Sequence, residues 1–127
     1  MTTGNQVLIS YIGILVAIIG LPITTKKLNA ALETLKAEAA TSNRCSSSKQ
    51  CAFEETGNDP CGGPSGFVIY STADTKSVRK IKRLASQTKS LQENINRQNR
   101  KKGALTMCVG LRRPELDCKN GKCLSKY

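Results

Sequence analysis

The residues of this 127-residue chain best suited to covalent or metal chemistry are its six cysteines, Cys45, Cys51, Cys61, Cys108, Cys118 and Cys123. They fall as C-x5-C-x9-C and then, after a long interval, as C-x9-C-x4-C. An even number of cysteines in a small unit behind a membrane-directing segment reads as a disulfide framework, whose connectivity the spacing leaves open. Zinc is the competing reading. Structural zinc sites favour C-x2-C or C-x4-C pairs joined to further ligands, whereas the gaps here are x5, x9, x9 and x4, and histidine is absent.

The lack of histidine removes the commonest general base and the familiar nucleophile–histidine pairs. Serine and lysine are both plentiful, but no spacing singles out a Ser–Lys pair. Glu54, Glu55 and Asp59 form an acidic cluster in a turn-rich stretch, and a solvated loop accounts for them better than paired catalytic carboxylates or a cation site. The glycines of Cys61-Gly62-Gly63-Pro64 are followed by a strand-like run rather than a helix, so they lack the setting of a phosphate-binding loop. No catalytic, cofactor-binding or metal residue is assigned, and the chain is not expected to be an enzyme.

Charge is the sharper feature. Twenty lysines and arginines against nine acids give a net charge of +11, which favours anionic partners. Ten of these cations lie in one stretch, as Lys76, Arg79, Lys80, Lys82, Arg83, Lys89, Arg97, Arg100, Lys101 and Lys102, with Glu93 as its only acid. A solvated helix face is the plain account, and a contact with an anionic partner is the specific one. Nucleic acid would be helped by aromatic residues interleaved for stacking, and the stretch has none. A lipid headgroup, an acidic polymer or an acidic protein subunit fits at least as well.

The elements that must position these residues begin with residues 7–23, VLISYIGILVAIIGLPI, 17 residues without a charge. As a helix they would cover roughly 25 Å, and the uncharged flanks extend that toward a hydrocarbon core of ~30 Å. A cleaved signal peptide is the main alternative, but no basic residue precedes the run and no A-x-A site closely follows it. Beyond it, Leu28, Leu32, Leu35 and Ala39 recur at helical spacing among good helix formers, which predicts an amphipathic stalk to about Thr41. Turn chemistry fills residues 54–66, between a short strand at 51–53 and a clear one at 67–70. Ser71-x-x-Asp74 reads as a variant capping box opening a long helix that ends at Gly103. Its apolar line, Ile81, Leu84, Thr88, Leu91 and Ile95 with Val78 alongside, would pack on the sheet or pair as a coiled coil. Strands at 105–109 and 122–127 complete the pattern, with 112–114 and 117–121 as loops. The fold expected is α+β: a transmembrane anchor (1–25), a helical stalk (26–44), and a Cys-rich domain (45–127) with a small disulfide-stapled antiparallel sheet and one long helix.

The succession of Cys45, Cys51, Cys61-Gly62-Gly63-Pro64, Tyr70-Ser71, Cys108, Cys118 and Asn120-Gly121-Lys122-Cys123 resembles a group of small bacterial envelope proteins, often lipoproteins. The likeness covers roughly residues 45–127. It implies a disulfide-bonded exported domain and brings no activity with it. The chain departs from that pattern in its anchor and stalk and in having no lipidation cysteine near the start.

Topology carries a conflict. Lys26, Lys27 and Lys36 follow the apolar run, which by the positive-inside rule keeps the following domain in the cytoplasm. Six cysteines argue for an oxidising compartment, and they are given the greater weight here. The expectation is a single-pass membrane protein with its C-terminal domain on the periplasmic or extracellular side. It would serve as a structural or accessory subunit of a larger membrane assembly, in contact with lipid and other subunits. A tethered binder of an anionic polymer or lipid is the alternative.

Overall fold

The computed structural model describes residues 23–101, 103 and 110–126. The apolar run except Ile23, the strand expected at 105–109, Cys108 and Lys102 lie outside the described residues. Among the described residues no helix is long and apolar enough to cross a membrane.

Two helices and two hairpins make up the fold of the described residues. Helix α1 (Ile23–Thr41) leads to a single 3-10 turn (Ser48–Gln50) and the hairpin β1 (Cys51–Thr56) and β2 (Gly66–Ser71). Helix α2 (Thr75–Lys101) follows, and the hairpin β3 (Leu116–Lys119) and β4 (Lys122–Ser125) comes last. The class is α+β, as expected. The single sheet is not found among the described residues: their strands form two separate two-stranded antiparallel sheets.

Helix α1 packs along α2 more extensively than any other two elements meet. The buried line of α1 is Leu28, Ala31, Leu35 and Ala39, at the 3–4 spacing that puts residues on one helix face. Leu35 and Ala39 share one core with Val68 and Tyr70 of β2 and with Ile81, Leu84 and Ala85 of α2. Complete burial of Leu35 and Ile81 is worth about 1.5–3 kcal/mol each. The apolar line expected on a stalk is therefore core, and the seam of α2 is shared between α1 and the first sheet.

The β1–β2 register pairs Ala52 with Tyr70 and Phe53 with Ile69. Alternation turns Val68 and Tyr70 toward the helices, while Phe53 and Phe67 meet edge to face with ring centroids 5.4 Å apart. The loop joining β1 to β2 is pinned to α2. Thr88, wholly buried, accepts a hydrogen bond from the Gly57 N–H at 3.0 Å and donates to the Ala85 carbonyl at 2.6 Å. Buried Asn96 donates to the Asn58 carbonyl at 2.7 Å and accepts from Gln92 at 3.0 Å. Gly57 has φ +66°, and a Cβ there would lie 2.9 Å from Ser65 Oγ, so both backbone and space require glycine.

Two local expectations are corrected. The cap of α2 is Asp74, whose carboxylate accepts from the Lys76 N–H at 3.0 Å and the Ser77 hydroxyl at 3.2 Å. Ser71 instead closes β2, its hydroxyl accepting from the Ala73 N–H. Residues 117–121 are not a loop, because Asn120 and Gly121, both at positive φ, form the two-residue turn of the β3–β4 hairpin. At the far end of α2, Gly103 (φ 73°) donates to the Arg100 carbonyl and stops the helix as expected.

Candidate anionic-partner interface

The disulfides fix the frame that carries the charged helix. Cys45 bonds Cys118 and Cys51 bonds Cys123, so two neighbouring cysteines before α2 are tied to two after it. Cys61 is disulfide-bonded as well. Short-range contacts reinforce the two bridges. Arg44 pairs with Lys122 as an extra rung on the second hairpin, with the Cys45 N–H donating to the Gly121 carbonyl and the Cys123 N–H to that of Asn43. Ser48 Oγ donates to Asp117 at 3.0 Å and accepts from the Cys118 N–H at 3.2 Å. The Sγ atoms of Cys45, Cys51 and Cys123 lie within 4.8 Å of one another because the bridges are adjacent. Sulfur held in a disulfide offers no thiolate to a metal, so in this state the cluster is a staple and not a zinc site.

The acidic residues do not converge. Glu54 accepts from the Tyr70 hydroxyl at 2.7 Å, Glu55 pairs with Lys89 at 3.7 Å, and Asp59 accepts from the Cys61 N–H at 3.0 Å. Each has a separate structural partner. Burial of Tyr70, helped by the adjacent Glu54 carboxylate, pushes its hydroxyl well above the ordinary tyrosine range, so it stays a neutral donor. A small depression lined by Thr41, Ser42, Arg44, Ser71, Ala73 and Asp74 contains one carboxylate, and that carboxylate already caps α2.

The cations of α2 are sorted by its geometry. Lys76, Arg79, Lys80 and Arg83, at i, i+3, i+4 and i+7, line one shallow surface depression. Arg97, Arg100 and Lys101 occupy the same heptad positions three heptads on from Lys76, Arg79 and Lys80, as 76/83/97, 79/100 and 80/101. Between the two groups these positions hold Ser86, Gln87, Ser90, Glu93 and Asn94. The basic face is thus two clusters separated by a nearly uncharged waist. Lys82 and Lys89 lie on an adjoining stripe, and all the described cations of α2 are exposed.

Few of them are neutralised within the fold. Lys80 meets Glu38 of α1 at 3.2 Å and Lys89 meets Glu55, and these are the only ion pairs among the described residues. Arg97 donates to Asn94 at 2.6 Å. Lys76, Arg79, Lys82, Arg83, Arg100 and Lys101 have no carboxylate partner among the described residues. The division into two clusters was missed when the ten cations were counted as one run. Heptad spacing, read directly from the sequence, was the signal that would have found it.

No family model matches the chain, and no curated protein or solved structure matches it either.

Proposed function

We propose that this protein is a non-catalytic accessory subunit of a membrane assembly. In this reading residues 7–23 anchor the chain, and the disulfide-stapled domain stands on the oxidising side of the membrane. The cluster Lys76, Arg79, Lys80 and Arg83 docks against an acidic face of a partner subunit. One observation carries the reading: four exposed cations share one depression, and three of them have no counter-charge among the described residues.

The cluster spans two helical turns, about 11 Å, and then gives way to the uncharged waist. A localised acidic patch matches that footprint better than a uniformly charged polymer, which favours a continuous basic track. The absence of aromatic residues from α2 also disfavours a single-stranded nucleic acid, whose bases would need stacking platforms. The two bridges suit an oxidising compartment.

Isolation of the full chain from its own membrane in mild detergent tests the proposal. The expected result is a co-purifying acidic protein that is lost from the Lys76→Glu/Arg79→Glu/Arg83→Glu variant and at high salt. Recovery of a lone monomer would overturn it. Salt-dependent capture of an acidic polysaccharide or nucleic acid with no protein partner would move the assignment to a tethered polymer binder.

A further inference from the structure

The second cation cluster has a different location, and the path of the chain gives that location meaning. Thr24, at the start of α1, lines one surface depression with Asn94, Arg97, Gln98 and Lys101 at the end of α2. The two helices are antiparallel, since Glu38 near the other end of α1 contacts Ser77 and Lys80 near the start of α2. Ile23, the last residue of the apolar run at 7–23, therefore starts α1 beside the last turns of α2. Lys26 and Lys27 lie in the first described turns of α1, beside the same end.

We propose that this end of the helix pair is a lipid-docking face, on which Lys26, Lys27, Arg97, Arg100 and Lys101 form a cationic collar seated on anionic headgroups. The inference rests on the reading of 7–23 as a membrane anchor. Helix polarity favours cations in a last helical turn and so accounts for Arg100 and Lys101, but it does not account for Lys26, Lys27 or Arg97. None of the five has an ion-pair partner among the described residues. The nearest acid along α2, Glu93, lines a different depression with Glu55 and Lys89. Five like charges gathered without counter-charge repel one another, and a layer of anionic headgroups would neutralise them at the point where the chain reaches the bilayer. Each basic residue held near an anionic surface strengthens the contact about fivefold, so the collar would set the tilt of the domain and leave the 76–83 cluster facing away.

The test uses the full chain in lipid nanodiscs of phosphatidylcholine, with and without a minority of phosphatidylglycerol, read by hydrogen–deuterium exchange. Exchange at 94–101 is expected to slow several-fold in the anionic discs, to recover in high salt, and to leave 76–83 unchanged. The variant Lys26→Gln/Lys27→Gln/Arg97→Gln/Arg100→Gln/Lys101→Gln should lose the effect, and Arg79→Gln/Arg83→Gln should keep it. If the chain fails to co-migrate with discs of either lipid, the anchor reading falls and the collar with it. Co-migration without lipid-dependent slowing at 94–101 overturns the collar alone. Equal slowing at 76–83 and 94–101 also overturns it, because α2 would then lie flat on the surface.

Discussion

Loss of either bridge of the adjacent pair should cost much less than its span suggests. Cys45–Cys118 and Cys51–Cys123 close separations of 73 and 72 residues. Taken alone, a loop of that size corresponds to about 4.4 kcal/mol in the chain-entropy model. The bridges are nearly parallel, however, since their ends are only six residues apart before α2 and five apart after it. With one in place, the other closes a circuit of about 11 residues, worth about 2.8 kcal/mol. Cys45→Ser/Cys118→Ser and Cys51→Ser/Cys123→Ser should therefore each destabilise by about 2.8 kcal/mol. The fourfold variant, in which the Cys61 disulfide remains, should lose more than the two together but less than about 7 kcal/mol, because the last bridge of the pair closes a larger circuit than the first. Guanidinium unfolding in mild detergent, followed by far-UV circular dichroism without reductant, measures all four proteins. Two single-bridge losses near 4.4 kcal/mol that simply add would refute the reasoning, since they would mean the bridges constrain separate loops.

Three further outcomes follow from buried contacts. Thr88→Val keeps the shape but leaves the Gly57 N–H without its acceptor, and should cost about 1–3 kcal/mol in the same unfolding assay, while Thr88→Ser should retain the bond. Gly57→Ala should cost about 1–2 kcal/mol for a side chain in the left-handed region, and adding Ser65→Gly should relieve only the further cost of the contact with Ser65. Tyr70 in the folded chain holds its proton more tightly than an unfolded tyrosine. Its contribution to stability is accordingly whole below about pH 10 and declines as pH rises beyond it. Tyrosinate absorbance should include a late-titrating contribution that Tyr70→Phe removes; a titration unchanged at high pH by the substitution would count against the Tyr70–Glu54 contact.

Legibility differed from element to element for physical reasons. Helix α2 was readable because its apolar line and its glycine stop agree, and β2 because Phe67, Val68, Ile69 and Tyr70 are strong strand formers. Helix α1 was readable as a helix, but periodicity reports only that a face is apolar and not what covers it, so Leu35 and Ala39 could equally have lined a stalk. In the second hairpin β4 was expected, within 122–127, but β3 was hidden by its charged composition: Asp117, Lys119, Asn120 and Gly121 look like a solvated loop until Asn-Gly is taken as a hairpin turn. Asp74 was passed over as the cap because Ser71 completed a familiar pattern, and the choice between them depends on where β2 ends. Of the ten candidate cations all except Lys102 fall within the described residues, and their split into two clusters is open to heptad spacing alone, whereas which end of α1 each cluster faces is not. Connectivity of the cysteines was not readable at all, since it is set by the approach of 45–51 to 118–123 in space.

That approach has a consequence for how the chain matures. In the export that the proposed function implies, Cys45 and Cys51 would emerge long before Cys118 and Cys123, so the first cysteines exposed to an oxidase would have each other as neighbours and not their native partners. Early oxidation should then produce a Cys45–Cys51 species, recoverable by acid quenching and alkylation, which must be reopened before β3 and β4 can dock. The close packing of the sulfurs supplies the route for that rearrangement. With the Sγ atoms of Cys45, Cys51 and Cys123 within 4.8 Å, a thiolate at Cys123 is within easy reach of either neighbour and can exchange bonds by direct attack. The same crowding that makes the finished staple partly redundant thus gives the late-arriving hairpin a means of correcting the pairing made before it arrived.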